Sequence, residues 1–326
     1  MKILITGGAG FVGGHLAHKY LGEGHDVHLL ENFDRAVQDT FLDGLLQDGA
    51  KILKIDLLDE DAIKQVSDDY DMIFHFAAII GVKQVSERPY NVLVDNVRMT
   101  ENTIKIAKTQ KNLMRLVFSS TSEVYAGTLK HFELPLPTPE TTAIALTDLN
   151  QARTTYMLSK LFGEAMFNFS TLPITNVRLH NVYGPRMGMS HVIPELLFKA
   201  YNKPEKLEVA SIDHKRTFCY IADAVTMLAK LAEAPAAQGE TVNIGNESPE
   251  ISIGELAQIV IDTVGEDVVL EALPETPGSP TRRCPSARKL FDLTQYTGQV
   301  SITEGVAKTY DWYVKNVFAN DGITAK

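Results

Sequence analysis

Lys2-Ile3-Leu4-Ile5-Thr6-Gly7-Gly8-Ala9-Gly10-Phe11-Val12-Gly13 decides the fold. Its first five residues are a short apolar, β-branched run that reads as a buried strand, and residues 12–21 carry apolar side chains at helical spacing. Between them, Gly7, Gly10 and Gly13 make a tight turn where the backbone can approach a pyrophosphate. That charge then meets free N–H groups and the positive end of the helix dipole. A glycine triplet alone is a weak signal, but a strand before it and a helix after it make it a dinucleotide-binding turn.

The same alternation continues outward. Asp26–Glu31, 51–55, 72–76 and 116–120 read as further strands, and 59–66, 91–108 and 156–169 as helices. Residues 173–179 add a sixth strand and 240–244 a seventh. Buried strands separated by crossover helices imply an α/β fold with a doubly wound parallel sheet, the Rossmann arrangement. Beyond residue 179 the pattern loosens into loops marked by Pro185, Pro194, Pro204, Pro274, Pro277, Pro280 and Pro285. We expect residues 1–178, with 217–246 returning to them, to form the cofactor domain. Residues 179–216 and 247–326 would form a smaller intercalated C-terminal substrate lobe over the carboxyl ends of the strands. Residues 321–326 should be frayed.

Composition narrows the function. With 326 residues, 44% of them hydrophobic, the chain is long enough for a sizeable core. A formal charge of −10 argues against a nucleic-acid or anionic-membrane surface, both of which need basic fields. It leaves room for a phosphorylated small substrate held by a few local arginines. Cys219 and Cys284 match no metal or redox spacing and read as reduced thiols. No apolar run approaches the ~18 residues that span a bilayer, and no leader pattern precedes the first strand. The expectation is a cytoplasmic protein without a metal.

The second strand ends in Glu31, placed to accept hydrogen bonds from an adenine-ribose diol, which favours NAD over NADP. Arg35 nearby is the residue that could instead pair with a 2′-phosphate. Asp56 either meets the adenine amino group or caps a helix that follows it.

The chemistry rests on two segments, Thr121-Ser122-Glu123-Val124-Tyr125 and Tyr156-Met157-Leu158-Ser159-Lys160. A tyrosine titrates near pH ~10 and needs help to act as a base at neutral pH. A lysine four residues on shares its helical face, and that ammonium stabilises the phenolate. Thr121, closing the fifth strand, would hydrogen-bond the substrate hydroxyl whose proton Tyr156 accepts as hydride leaves the carbon.

TGGAGFVG, FHFAA, DNVRMT, FSSTSEVY, YMLSK, RLHNVYGPR and KRTFCYIAD follow one another over nearly the whole chain. In this order they resemble the extended short-chain dehydrogenase/reductase family, in its nucleotide-sugar epimerase, dehydratase and decarboxylase branch. The resemblance implies a tightly bound NAD, a nucleoside-diphosphate sugar in the C-terminal lobe, and a homodimer built from residues 91–108 and the Tyr156 helix. It implies that Thr121, Tyr156 and Lys160 are catalytic, with Glu123 beside them. The cofactor would be held by Gly7, Gly10, Phe11, Val12, Gly13, Glu31, Asn32, Arg35, Asp56, Leu57, Phe76, Ala77, Ala78, Asn96, Tyr156 and Lys160. Thr121, Asn181, Arg216, Arg282 and Arg283 would meet the sugar diphosphate, a task that suits the planar fork of arginine.

Members of this branch begin by oxidising the sugar at C4, and the ketone then decides the outcome. Glu123 resembles the glutamate of 4,6-dehydratases and UDP-glucuronate decarboxylases, whereas 4-epimerases more often carry a small or hydroxyl residue there. Ser122 stands where many dehydratases have an aspartic acid. The expectation is C4 oxidation followed by Glu123-assisted dehydration or decarboxylation. The alternatives are a 4-epimerase without that base and a non-catalytic dinucleotide-binding regulator. The stretch 209–215 replaces the glycine-rich turn usual before Arg216. His75, His180 and His191 are as readily structural as functional.

Overall fold

The structure, a computed structural model, describes residues 1–203, 205–265, 268–276 and 280–320. The expectations for Pro204, Pro277 and the frayed end at 321–326 fall outside these residues. The first half runs β1 Lys2–Thr6, α1 Phe11–Gly22, β2 Asp26–Glu31, α2 Thr40–Gln47, β3 Lys51–Lys54 and β4 Met72–His75. It continues with α3 Val82–Glu87, α4 Pro89–Thr109, β5 Arg115–Thr121, α5 Ala126–His131, α6 Ala152–Asn168 and β6 Ile174–Leu179.

Six strands and a seventh, Thr241–Ile244, form one parallel sheet ordered Thr241–Ile244, β6, β5, β4, β1, β2, β3. The order reverses between β1 and β4, so the crevice at their carboxyl ends is where a doubly wound sheet takes its ligand. Alternation along each strand fills two cores. Ile3, Ile5, Leu29, Phe74 and Val117 face α1 and the helix Ile221–Glu233, while Leu4, Leu30, Ile73, Leu116 and Phe118 face the α4 side.

Several elements differ from their sequence reading. Residues 59–66 hold only a short 3-10 helix, Ala62–Gln65, because Asp59 accepts from the N–H of both Asp61 and Ala62 and tightens the turn. Helices α2 and α3 were not legible: at eight and six residues, each is too short to display a full helical period. Beyond residue 179 the chain is far more ordered than its prolines suggest. It carries Val192–Tyr201, Ile221–Glu233, Ile253–Val264 and Ile302–Asn316 as helices, the third of them started by a capping box between Ser252 and Glu255. Where the glycine-rich turn was missed, Ser211 takes the left-handed conformation instead, with φ +57.

Candidate active site

Strand β5 delivers Thr121 to the carboxyl edge of the sheet, and a 3-10 turn, Ser122–Tyr125, follows at once, with the Thr121 hydroxyl accepting the Glu123 N–H at 3.2 Å. Helix α6 crosses beneath. It can lie that close because residue 163 is glycine: a Cβ there would stand 2.3 Å from the Phe118 ring. The same ring supports the Lys160 ammonium at 5.0 Å, and Lys160 Nζ donates to the Ser119 carbonyl at 2.7 Å. Burial pulls the Lys160 pKa down from 10.5 to about 7, against the upward pull of Glu164. Burial pushes the Tyr156 phenol up, as does the charge of Glu123, while a hydrogen bond from Thr121 and the charge of Arg35 oppose the rise. Thr121, Tyr156 and Lys160 therefore meet as the sequence predicts.

Glu123 is held between two arginines. Its carboxylate accepts from Arg283 Nη1 at 2.8 Å and from Arg153 Nε and Nη2 at 3.1 and 2.9 Å. Burial alone would raise its pKa, but the two guanidinium charges outweigh it and keep the group below the ordinary carboxylate range. A small pocket opens beside this cluster, lined by Ser122, Tyr125, Ala126, Leu129, Leu134, Thr138, His180, Arg283 and Cys284.

Behind the site a buried polar network locks the parts together. Glu164, one turn after Lys160, accepts from Ser120 Oγ at 2.5 Å and from Arg178 at 2.9 and 2.7 Å. Arg178 also donates to the Tyr125 hydroxyl at 2.7 Å, which donates to Asn243 at 3.2 Å. His180 bonds the same Asn243 at 3.0 Å, and burial lowers its pKa to about 3, which makes it a neutral structural histidine. His75, bonded to Thr6 and Thr103, is another. His191 is the exposed residue that precedes the helix Val192–Tyr201.

On the cofactor side Gly7 has φ +66, and a Cβ would fall 2.7 Å from the Ala77 nitrogen, so the turn presses directly on the end of β4. Phe11 and Val12 open α1, whose first turn holds no acidic residue, and Phe76, Ala77 and Ala78 follow β4. Glu31 closes β2, with its carboxylate held by the N–H groups of Phe33, Ala9 and Asn32; burial raises its pKa. The Arg35 charge acts on both Glu31 and Tyr156. Asn96 clasps both backbone groups of Ile79, at 2.7 and 3.1 Å, and reaches Ser159 at 3.2 Å. Asp56 accepts from Leu58 N at 2.8 Å and from Asn32 at 3.3 Å, beside buried Leu57; it caps no helix, because the short 3-10 turn that follows begins only at Ala62 and is tightened by Asp59. A helix N-terminus free of acid, glycines packed backbone to backbone, and a carboxylate one strand away fit a dinucleotide.

The anion-binding candidates separate. Asn181, at φ +43, donates to the Thr217 carbonyl at 2.9 Å. Arg216 and Arg283 are paired neighbours on adjacent short strands, Lys215–Arg216 and Arg282–Arg283. Burial and the charge of Arg283 lower the Arg216 pKa to about 10. Arg282 does not join them: successive residues of a strand point to opposite faces, and its guanidinium is committed to Glu250 at 2.6 and 2.8 Å. Sequence reasoning missed Arg153, three residues before Tyr156 and hence on its helical face, and Glu164, one turn after Lys160. Among the described residues no cluster could hold a metal ion, and no helix is long and apolar enough to cross a membrane. Both cysteines are free and buried.

Comparison with known proteins agrees with this geometry. A UDP-N-acetyl-alpha-D-glucosaminuronate decarboxylase from Bacillus cytotoxicus is 31% identical over 330 residues, with 96% of this chain and 97% of the relative covered. The crystal structure of a UDP-glucuronic acid 4-epimerase from Bacillus cereus, in complex with UDP-glucuronic acid and NAD, superposes with a TM-score of 0.82 at 26% identity, over 97% of this chain and 99% of that one. An NAD-dependent NDP-hexosamine 5,6-dehydratase superposes with a TM-score of 0.80 at 25% identity, over 98% and 99%. The model of the NAD dependent epimerase/dehydratase family matches residues 3–245, and the chain belongs to that family.

Proposed function

We propose that the protein is a lyase that decarboxylates a nucleoside-diphosphate hexuronate, with Thr121, Tyr156 and Lys160 oxidising C4 and with Arg283 and Arg153 receiving the C5 carboxylate. The carrying observation is the pair of arginines converging on Glu123 beside the apolar cavity. A glutamate whose pKa is held below the ordinary carboxylate range is a weaker base, which disfavours dehydration through proton abstraction at C5. Two guanidinium groups sharing one carboxylate instead make a site where a second carboxylate can compete for Arg283. Glu123 then assists by holding that arginine ready.

Tyr156 takes the C4 hydroxyl proton, helped by the Lys160 ammonium, while Thr121 holds the oxygen. NAD, held by the turn at residues 7–13 and by Glu31, would supply the acceptor for the C4 hydride and the donor that reduces the C4 ketone after carbon dioxide has left. The ketone makes the substrate a β-keto acid: the bond from C5 to the carboxyl carbon breaks, carbon dioxide leaves, and the electron pair passes to the C4 oxygen before C5 is protonated. Ala126, Leu129 and Leu134 in the cavity wall penalise a localised carboxylate more than the dispersed charge of the departing group. Arg216 is assigned to the diphosphate, with Asn181 beside it. The Bacillus cytotoxicus decarboxylase supports a UDP-hexuronate as substrate.

On the same proposal residues 1–178 with 217–246 form the cofactor domain, and 179–216 with 247–326 the substrate lobe. The protein acts in the cytoplasm as a homodimer through α4 and α6. Incubation with UDP-glucose, UDP-glucuronate and UDP-N-acetylglucosaminuronate, followed by mass spectrometry, tests the function. Loss of carbon dioxide from a hexuronate is expected. Unchanged mass with a new retention time, or loss of water, would replace the proposal with epimerisation or dehydration.

A further inference from the structure

The turn Gly184-Pro185-Arg186-Met187 follows the short strand Val182–Tyr183, and its side chains reach back to the cofactor turn. Arg186 Nη1 donates to the carbonyls of Ala9 and Gly10 at 2.9 and 3.4 Å, and Nη2 donates to Val37 O at 3.4 Å. Its Nε is paired with Asp39 at 2.6 Å, and the guanidinium lies 5.0 Å from the Phe41 ring. Only 8% of the side chain is exposed. His15, whose pKa burial lowers to about 4, donates its Nε2–H to the Pro185 carbonyl at 2.9 Å. From the other side the Tyr313 hydroxyl donates to the Met187 carbonyl. Arg186 has φ +71, a left-handed conformation that a non-glycine residue keeps only when its surroundings hold it there.

We propose that Arg186 is a positioning residue for NAD retention, clamping the glycine turn from behind. A trans peptide points its N–H opposite to its C=O. Drawing the Ala9 and Gly10 carbonyls toward Arg186 turns the N–H groups of Gly10 and Phe11 the other way. Gly10 N–H is taken by Gly7 O at 3.0 Å, which leaves that of Phe11, at the start of α1, for an anion on the cofactor side. Asp39 also caps α2, accepting from Leu42 N at 2.9 Å, so the clamp ties the glycine turn, α2 and the 184–187 turn into one unit. Retention matters because a reduced cofactor lost before it returns its hydride would leave the keto intermediate with no reductant. The inference rests on NAD dependence alone and holds whichever sugar product forms.

The test uses NAD and no sugar. Arg186→Ala, Arg186→Lys and Asp39→Asn are purified, their bound nucleotide is released and quantified, and NAD is titrated calorimetrically into stripped protein. Loss of charge-assisted hydrogen bonds behind the turn should weaken NAD binding by about tenfold or more in Arg186→Ala, with partial rescue in Arg186→Lys and an intermediate loss in Asp39→Asn. A Kd within about twofold of the unaltered protein, in a variant with an unchanged circular dichroism spectrum, overturns the proposal. If Arg186→Ala does not fold, Asp39→Asn decides by the same criterion.

Discussion

Replacing Lys160 by methionine should make the nucleotide-free protein more stable while abolishing turnover. Lys160 is 4% exposed, and burial lowers its pKa from 10.5 to about 7. Because the folded state binds its proton less tightly than the unfolded chain, the unfolded chain holds more protons between pH 7 and 10.5, and stability rises with pH across that window. The cost of burying the charge is thus complete below about pH 7 and gone above about pH 10.5. At about 1.4 kcal/mol for each pKa unit, it amounts to roughly 5 kcal/mol. Methionine fills similar space without the charge but loses the 2.7 Å hydrogen bond to Ser119, worth about 1 kcal/mol. The expected net gain is roughly 3–4 kcal/mol at pH 6, shrinking toward zero or slightly below by pH 10. Urea denaturation of both proteins at pH 6, 8 and 10, after stripping the nucleotide, measures it. A Lys160→Met protein no more stable than its parent at pH 6, or a gap that does not close as pH rises, would refute the assignment of a strained, functionally retained ammonium.

Gly13→Ala puts a Cβ 2.5 Å from the Gly7 carbonyl and 2.9 Å from Gly8 Cα, so the turn must shift; NAD titration should show binding weaker by about tenfold or more. Glu164→Gln leaves the Arg178 guanidinium, 6% exposed, without its counter-charge; a loss of about 3–5 kcal/mol is expected in denaturation, partly recovered when Arg178→Met is added. Arg283→Met should abolish decarboxylation in the mass assay. It should also remove stability that the depressed Glu123 pKa supplies above the ordinary glutamate range. The gap to the parent is therefore present at neutral pH and narrows as pH falls through the folded-state value, followed by acid titration of denaturation midpoints.

Much of this fold was legible because its signals are local. The strand, glycine turn and helix of residues 2–22 lie within one stretch, and each sheet strand is an apolar run that no partner has to explain. The Tyr156 and Lys160 pair is also local, fixed by helical periodicity. What escaped depended on partners distant in sequence. Glu123 was visible as a carboxylate in the right segment, but Arg283, which shares its charge, lies 160 residues away and arrives only through the pairing of two-residue strands. The same pairing separated Arg283 from Arg282, which their adjacency could not do. The C-terminal helices were obscured by prolines, which mark loops without telling how much helix lies between them. Arg186 sat inside a motif quoted for its resemblance, yet its contacts run back to residues 9, 10 and 39.

Charge balance connects these residues to the proposed substrate. Glu123, Arg153 and Arg283 carry one negative and two positive charges, so the cluster faces the cavity with a surplus of one positive charge. A neutral hexose would leave that surplus next to Tyr156, while a hexuronate would cancel it. Arg153 is 69% exposed and its charge is screened by water, so most of the surplus falls on Arg283, at 19%. Glu123 also raises the Tyr156 pKa, an effect contrary to a general base unless the arginines offset it. Under the proposed function the glutamate is the resident anion that keeps Arg283 oriented. On that proposal a substrate carboxylate would displace it in part, and the positive charge left on Arg283 would be neutralised by the group to be expelled.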